Sequence, residues 1–251
     1  MANGDSRRNW FNQGGQAYAL YRPDYPQALA HFLAEASPTR ILAVDVGCGT
    51  GQLTTQLAAY FDRVTGLDPS DDQVASAAAH PNVTYRTAPA EALPLDDHSV
   101  SLIAAAQAAH WFDLPAFYAE ARRVGVPGAV VALISYGVPA LDAEIDACYQ
   151  RFYSEQIGPY WPPERGLVDS GYATIDFPFR PIEKPLLYIE RDWTFAEALG
   201  YVSTWSAVRK AREAGKEDLL NQFADDFAAA WGSRDRRREF RWPINMRIGT
   251  L

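Results

Sequence analysis

At 251 residues, 48% of them hydrophobic, the chain can bury a full core and build either one α/β domain with an elaborated region or two domains. A formal charge of -8 would repel nucleic acid phosphates and anionic lipid, so small or neutral partners are favoured. Only Cys48 and Cys148 occur, too few for a disulfide framework or a structural zinc site; no metal is expected, and a reducing cytoplasm is the expected compartment.

Met1 to Arg8 lead into no apolar secretory segment, and no apolar run reaches transmembrane length, so no membrane association is expected. Leu29, Phe32 and Leu33 recur at helical spacing within 26–36, and Pro38 closes that helix. Ile41 to Val46 is a compact apolar run of the kind that forms a buried parallel strand. Glycines follow it, and Leu53, Leu57 and Phe61 then predict a core-facing helix. Arg63 to Asp68 reads as a second strand ending in an acid, with Pro69 at the start of the next helix. The alternation continues through Val83–Arg86, Val100–Ala106, a helix from about Pro115 to Val124, and Ala129–Ile134.

These elements imply an α/β fold with a Rossmann-like, doubly wound, mostly parallel sheet, for which seven strands are expected. After Tyr136, prolines interrupt an aromatic-rich stretch, and 138–185 is expected to be a helical or irregular cap on the acceptor side. Residues 1–137 would then hold an N-terminal segment and the cofactor core. Residues 186–251 would complete the sheet with a strand near Leu186–Ile189, an amphipathic helix over 217–231 and a last strand from Phe240 to Leu251. The run Arg234 to Glu239 reads as a solvated turn with interspersed acids.

Asp45-Val46-Gly47-Cys48-Gly49-Thr50-Gly51 joins a strand to a helix, where glycines allow a sharp turn and close approach of a ligand, and where free helix N–H groups would face it. Its register is G-x-G-x-G, with Gln52 where a dinucleotide fingerprint places its third glycine, so pyrophosphate binding is disfavoured. Asp68 lies 17 residues after Gly51, close to the spacing at which such folds set an acid on ribose hydroxyls; capping of the next helix is the alternative.

These segments resemble the class I S-adenosylmethionine (SAM)-dependent methyltransferases, and within them the type 11 small-molecule group. Asp45 to Gly51 matches that family's first motif, and Gly66-Leu67-Asp68-Pro69-Ser70 its ribose-binding motif. Ala90-Glu91-Ala92-Leu93-Pro94 is similar to the segment bordering adenine, and Val124 to Ala129 to the turn before the fifth strand, so that the resemblance runs in order over roughly 40–135. Pro89 replaces an acid found in many relatives, and Ala129 a glycine. Phe11 to Pro26, Gln107 to Asp113 and Thr204-Trp205-Ser206 further resemble the trans-aconitate methyltransferase-like proteins.

The resemblance implies SAM as cofactor, held by Tyr18, Asp45, Gly47, Cys48, Gly49, Gly51, Asp68, Pro69, Ala90, Glu91 and Gln107, and methyl transfer to a small molecule, with a carboxylate implied by the narrower likeness. A carboxylate is ionised at neutral pH and needs no general base. Arg22, whose planar fork suits a carboxylate, and His110, beyond the fourth strand, are the candidate catalytic residues. Tyr21, Trp111, Tyr136 and Trp205 are the candidate acceptor-binding residues. The tyrosines at 18, 21 and 25 and the cap aromatics could equally be packing, and Cys48 a small filler. Two other functions stay open: a nicotinamide-dependent oxidoreductase, and a scaffold that binds SAM without catalysis.

Overall fold

The computed structural model describes residues 21–251. Five strands run parallel at its centre: β1 (Leu42–Val46), β2 (Arg63–Asp68), β3 (Val83–Thr87), β4 (Val100–Ala106) and β5 (Gly125–Tyr136). Their spatial order is β3-β2-β1-β4-β5, so the chain reverses its direction of winding between β1 and β4. At such a switch point the connections leave in opposite directions and a crevice opens beyond the strands' carboxyl ends.

Period-2 side chains explain the two faces of the sheet. Ala43, Leu102, Ala104, Val130 and Ala132 point to one core. Val44, Ile103, Ala105, Val131 and Leu133 point to the other. Helices α1 (Gln27–Ala36) and α2 (Gln52–Leu57) cover the first face, and α4 (Leu114–Val124) the second through Phe117, Tyr118 and Ala121. Helix α2 is shorter than its apolar spacing predicts: Phe61 is buried but sits in the turn after the helix. Ser70 caps α3 (Asp71–Ala75), accepting from the Gln73 amide, so Asp68 is not the helix cap.

The sheet is completed by one long antiparallel strand, β9 (Arg238–Thr250). Its second half pairs with β5, and Gly249–Thr250 also with the two-residue β7 (Arg180–Pro181). Among the described residues the sheet connects nine strands, two more than expected. The first half of β9 pairs with β6 (Ala140–Leu141) and β8 (Tyr188–Trp193) instead, so the expected cap supplies two short edge strands as well as helices. Strand β8 begins two residues later than the apolar run Leu186–Ile189 suggests, because Leu186 is 86% exposed.

Between these strands lie α5 (Ala143–Arg151), a π-helical turn (Phe152–Gln156), α6 (Arg165–Asp169), α7 (Phe195–Ser203), α8 (Ser206–Glu213) and α9 (Glu217–Trp231). Helix α9 spans the predicted residues; α7, with a Thr194–Glu197 capping box, and α8 were not predicted. Their shared interior is aromatic: Phe152 stacks on Phe223 at 3.7 Å between ring centroids, and Trp205 meets Tyr149, Tyr153, Trp161 and Tyr201 at 5.4–5.7 Å. Arg234 to Arg237 form the exposed turn that was expected, with Arg236 paired to Glu144 and Arg237 to Glu197, but Arg238 is buried at the start of β9 and donates to Asp142, Glu144 and the Trp231 carbonyl.

Candidate active site

The crevice at the switch point holds a cavity of about 360 Å³ whose walls come mainly from the ends of β1, β2, β4 and β5 and the loops that follow β1 to β4. Gly47, Gly49 and Gly51 all adopt positive φ, at 73°, 54° and 88°, which explains why glycine recurs at every second position. A Cβ on Gly47 would stand 2.3 Å from that of Ala108, so the loop and the end of β4 can approach this closely only through glycine.

The loop's amides are paired within the protein. The N–H groups of Gly47 and Cys48 both donate to the Leu67 carbonyl, that of Gly51 to the Cys48 carbonyl, and that of Gly49 to Asp68 Oδ2 at 2.9 Å. The expected array of free N–H donors is therefore not what these four positions offer. The cavity instead meets three carboxylates, Asp45, Asp68 and Glu91, and no lysine, arginine or histidine among its described lining residues. A pyrophosphate would find repulsion here, and a cation attraction.

Asp45 is 1% exposed; its Oδ2 accepts from Thr54 Oγ1 at 2.6 Å, while Oδ1 has no hydrogen-bond partner among the described residues. Burial pushes its pKa up to about 7 against the pull of Thr54, and the charge of Asp68 adds to the rise. Burial also raises the pKa of Asp68, opposed by the amides of Ser70 and Gly49. Glu91 Oε1 accepts from the Asp113 amide at 2.7 Å, which ties the wall after β3 to the start of α4.

Gln107 ends β4 with φ +56°, a left-handed conformation held by its own amide on Ile134 O and by its side chain on Tyr136 O at 2.7 Å. Trp111 and Tyr136 line the same cavity, as do Tyr25, Gln52, Gln73 and Phe112, which were not among the expected site residues. Gly51 is not among the residues lining this cavity; it borders a neighbouring one with Thr50 and Gln56, where a Cβ would run into the Tyr85 ring. Tyr18 lies outside the described residues.

Comparison with known proteins agrees with this geometry. Residues 44–133 match the family described as a methyltransferase domain, of the type 11 group. A protein of Dictyostelium discoideum described as a methyltransferase is 34% identical over 90% of this chain and 87% of its own. A solved structure from Anaeromyxobacter dehalogenans, described as a type II methyltransferase, is 47% identical with a TM-score of 0.85, covering 92% of this chain and 98% of that one. The chain belongs to the class I SAM-dependent methyltransferases. A Saccharomyces cerevisiae protein described as SAM-dependent is 31% identical over 43% of the chain and 40% of its own length.

SAM is the cofactor of this methyltransferase, and the cavity suits it: a ligand bearing sulfonium and ammonium charges would relieve the unpartnered Asp45 Oδ1 and the repulsion between Asp45 and Asp68. The nicotinamide reading falls with the family assignment.

The remaining expected site residues gather beside the cavity wall in a cluster of aromatic and basic side chains. His110 is not among the residues lining the cavity: its Nδ1 meets the Tyr172 hydroxyl at 2.9 Å, and its ring packs on Trp111 at 4.9 Å. Burial, helped by the charge of Arg165, pushes its pKa down to about 3. The Arg22 guanidinium sits 5.5 Å above the Tyr201 ring, and Tyr21 packs directly on Gly200 of α7. Trp205, 3% exposed, is the hub of the aromatic cluster.

Arg165 was not expected. It donates from Nε to Tyr153 Oη at 2.7 Å and Asp169 Oδ1 at 2.9 Å, and covers the Trp161 ring at 4.8 Å. Its sequence neighbours, Pro162, Pro163 and Glu164, look like those of a surface turn, so nothing local marks it. No helix among the described residues is long and apolar enough to cross a membrane.

Proposed function

We propose that this methyltransferase transfers its methyl group to a small molecule bearing a carboxylate. The observation that carries the reading is the placing of two guanidiniums, Arg22 and the Asp169-paired Arg165, among aromatic rings beside a cofactor cavity that is itself anionic. Bound SAM supplies an electrophilic methyl on a positively charged sulfur. Asp45 and Asp68 would hold its charged and hydroxyl groups, with Gly47, Cys48, Gly49, Pro69, Ala90, Glu91 and Gln107 shaping the walls. Trp111 and Tyr136 would separate donor from acceptor.

A carboxylate nucleophile arrives ionised, so the protein's task is alignment, which is worth a large share of such a barrier. Arg22 orients the carboxylate through its fork, Tyr21 and Trp205 close around the apolar body, and residues 138–185 form the acceptor-side cap. His110, held neutral against Tyr172, fixes the position of Trp111 rather than moving a proton. The likeness to trans-aconitate methyltransferase-like proteins supports the same acceptor chemistry. The buried, unpaired Cys48 and the free Cys148 support a reducing cytoplasmic setting.

The test is labelled-methyl transfer over small carboxylates, phenols and amines. Carboxylates should yield base-labile esters, and Arg22→Ala should raise the KM for them by about tenfold or more. Transfer to amines or phenols alone would refute the acceptor assignment, and SAM binding without transfer to any acceptor would favour the scaffold reading.

A further inference from the structure

Tyr149 on α5 has no solvent exposure, and its ring sits 5.6 Å from Trp205, 5.9 Å from Phe227 and 6.1 Å from Phe240. Phenylalanine would make the same contacts. The hydroxyl has no hydrogen-bond partner among the described residues. It lies within the electrostatic reach of Tyr201, Tyr153, Arg165 and Arg22.

A second buried donor repeats the pattern. The Trp242 indole N–H on β9 is fully buried and likewise has no partner among the described residues. Its ring lies 5.5 Å from Tyr201 and 6.4 Å from Tyr136, the residue that lines the cofactor cavity. Native interiors leave few polar groups unmatched, and those that remain call for a specific explanation. Here two unmatched groups able to donate relate to the same tyrosine, the one beneath the Arg22 guanidinium: Trp242 by ring contact and Tyr149 by electrostatic reach. An oxyanion satisfies such a set; an amine acceptor does not, because the indole N–H and the guanidiniums offer no lone pair.

We infer that the Tyr149 hydroxyl and the Trp242 indole N–H donate hydrogen bonds to the acceptor's carboxylate, and that Tyr149 is a specificity-determining residue. This rests on the carboxylate reading above. Arg165 then acts behind them as the fixed charge of the cluster, held in place by Tyr153 and Asp169.

The experiment is Tyr149→Phe, with Trp242→Phe as an independent arm, measured with the best carboxylate of the wild-type screen and by tryptophan fluorescence titration with benzoate. Removing an unmatched buried hydroxyl should leave the thermal midpoint equal or raised. The affinity for SAM should stay unchanged, while the KM for the carboxylate rises by about tenfold with kcat little altered, and benzoate binding weakens in parallel. An unchanged KM and benzoate affinity in a Tyr149→Phe protein of raised midpoint would overturn the inference, leaving the hydroxyl as an unmatched core group. Absence of carboxylate transfer by the wild type would overturn it too, but at the earlier step, where the acceptor reading itself fails.

Discussion

Replacing Asp45 by asparagine isolates a strongly perturbed carboxylate of the cofactor cavity. The carboxyl is 1% exposed and its pKa is raised from 3.8 to about 7, chiefly by burial. The folded protein therefore keeps this proton over a range in which the unfolded chain has lost it. Where the native state binds more protons, stability falls with rising pH. Asp45's contribution is most favourable below pH 4, declines between about 4 and 7, and is level above 7. At roughly 1.4 kcal/mol for each pKa unit, the full difference is about 4 kcal/mol, of which about 3 falls between pH 5 and 8.

His110 works in the opposite direction. Its pKa is lowered to about 3, so it favours the native state increasingly as pH rises from about 3 to 6.5. The wild-type profile alone would mix the two. The stability of Asp45→Asn minus that of the wild type cancels His110 and should grow in the variant's favour by about 2–3 kcal/mol between pH 5 and 8, measured by urea unfolding. A cationic ligand favours the ionised carboxylate, so SAM binding near pH 6.5 should also release up to one proton. Calorimetry in buffers of different ionisation enthalpy reads that number, and the release should vanish in Asp45→Asn. A stability difference that does not change with pH, or proton release that persists in the variant, would refute the assignment.

Three further outcomes follow from the packing around the site. Gly200→Ala puts a Cβ 2.4 Å from the Tyr21 ring, so the ring must move; a loss of roughly 1–3 kcal/mol in thermal unfolding and a raised acceptor KM are expected, with SAM affinity unchanged. Arg238→Ala strands two carboxylates, but Asp142 and Glu144 are 40% and 63% exposed and water can take over part of the pairing. The expected cost is about 2 kcal/mol, or a fall of roughly 4–8 °C in midpoint by calorimetry. For His110, kcat/KM for the acceptor at saturating SAM should show no histidine limb between pH 5 and 8, and His110→Gln should alter its magnitude without altering its shape; a limb near pH 6–7 lost in the variant would restore His110 as a base.

The cofactor half of the site was legible in the sequence because its constraints are local to the backbone. Alternate glycines announce left-handed residues, and a strand-final acid followed by Pro69 announces a carboxyl at the end of β2. What the sequence could not show was where the loop's amides go, since the acceptors of Gly47, Cys48 and Gly49, Leu67 and Asp68, belong to the adjacent strand. The free-donor expectation failed for that reason. Gly51 was grouped with its neighbours by spacing, although it borders the neighbouring cavity. The proposed acceptor half draws on α5, α6, α7, α8 and β9, elements distant in sequence, so no spacing rule links Arg165 to His110 or Tyr149 to Trp242.

The two halves divide charge as well as origin. Asp45, Asp68 and Glu91 line the cofactor cavity, whereas Arg22 and the Asp169-paired Arg165 stand among the aromatic rings beside it, with Trp111 and Tyr136 on the cavity wall and the neutral His110 packed on Trp111. Were His110 to carry a charge, it would add a third cation close to Arg165, and burial together with that neighbour opposes this. If the acceptor is the carboxylate proposed above, a positively charged methyl donor and a negatively charged acceptor would each meet complementary charge, and each would be disfavoured in the other's place. Exchange of the two ligands between sites is thus opposed electrostatically before any contact is made. Because the opposition acts over several ångströms and through low-dielectric aromatic walls, added salt should weaken acceptor capture at the open rim more than it weakens discrimination between the two sites.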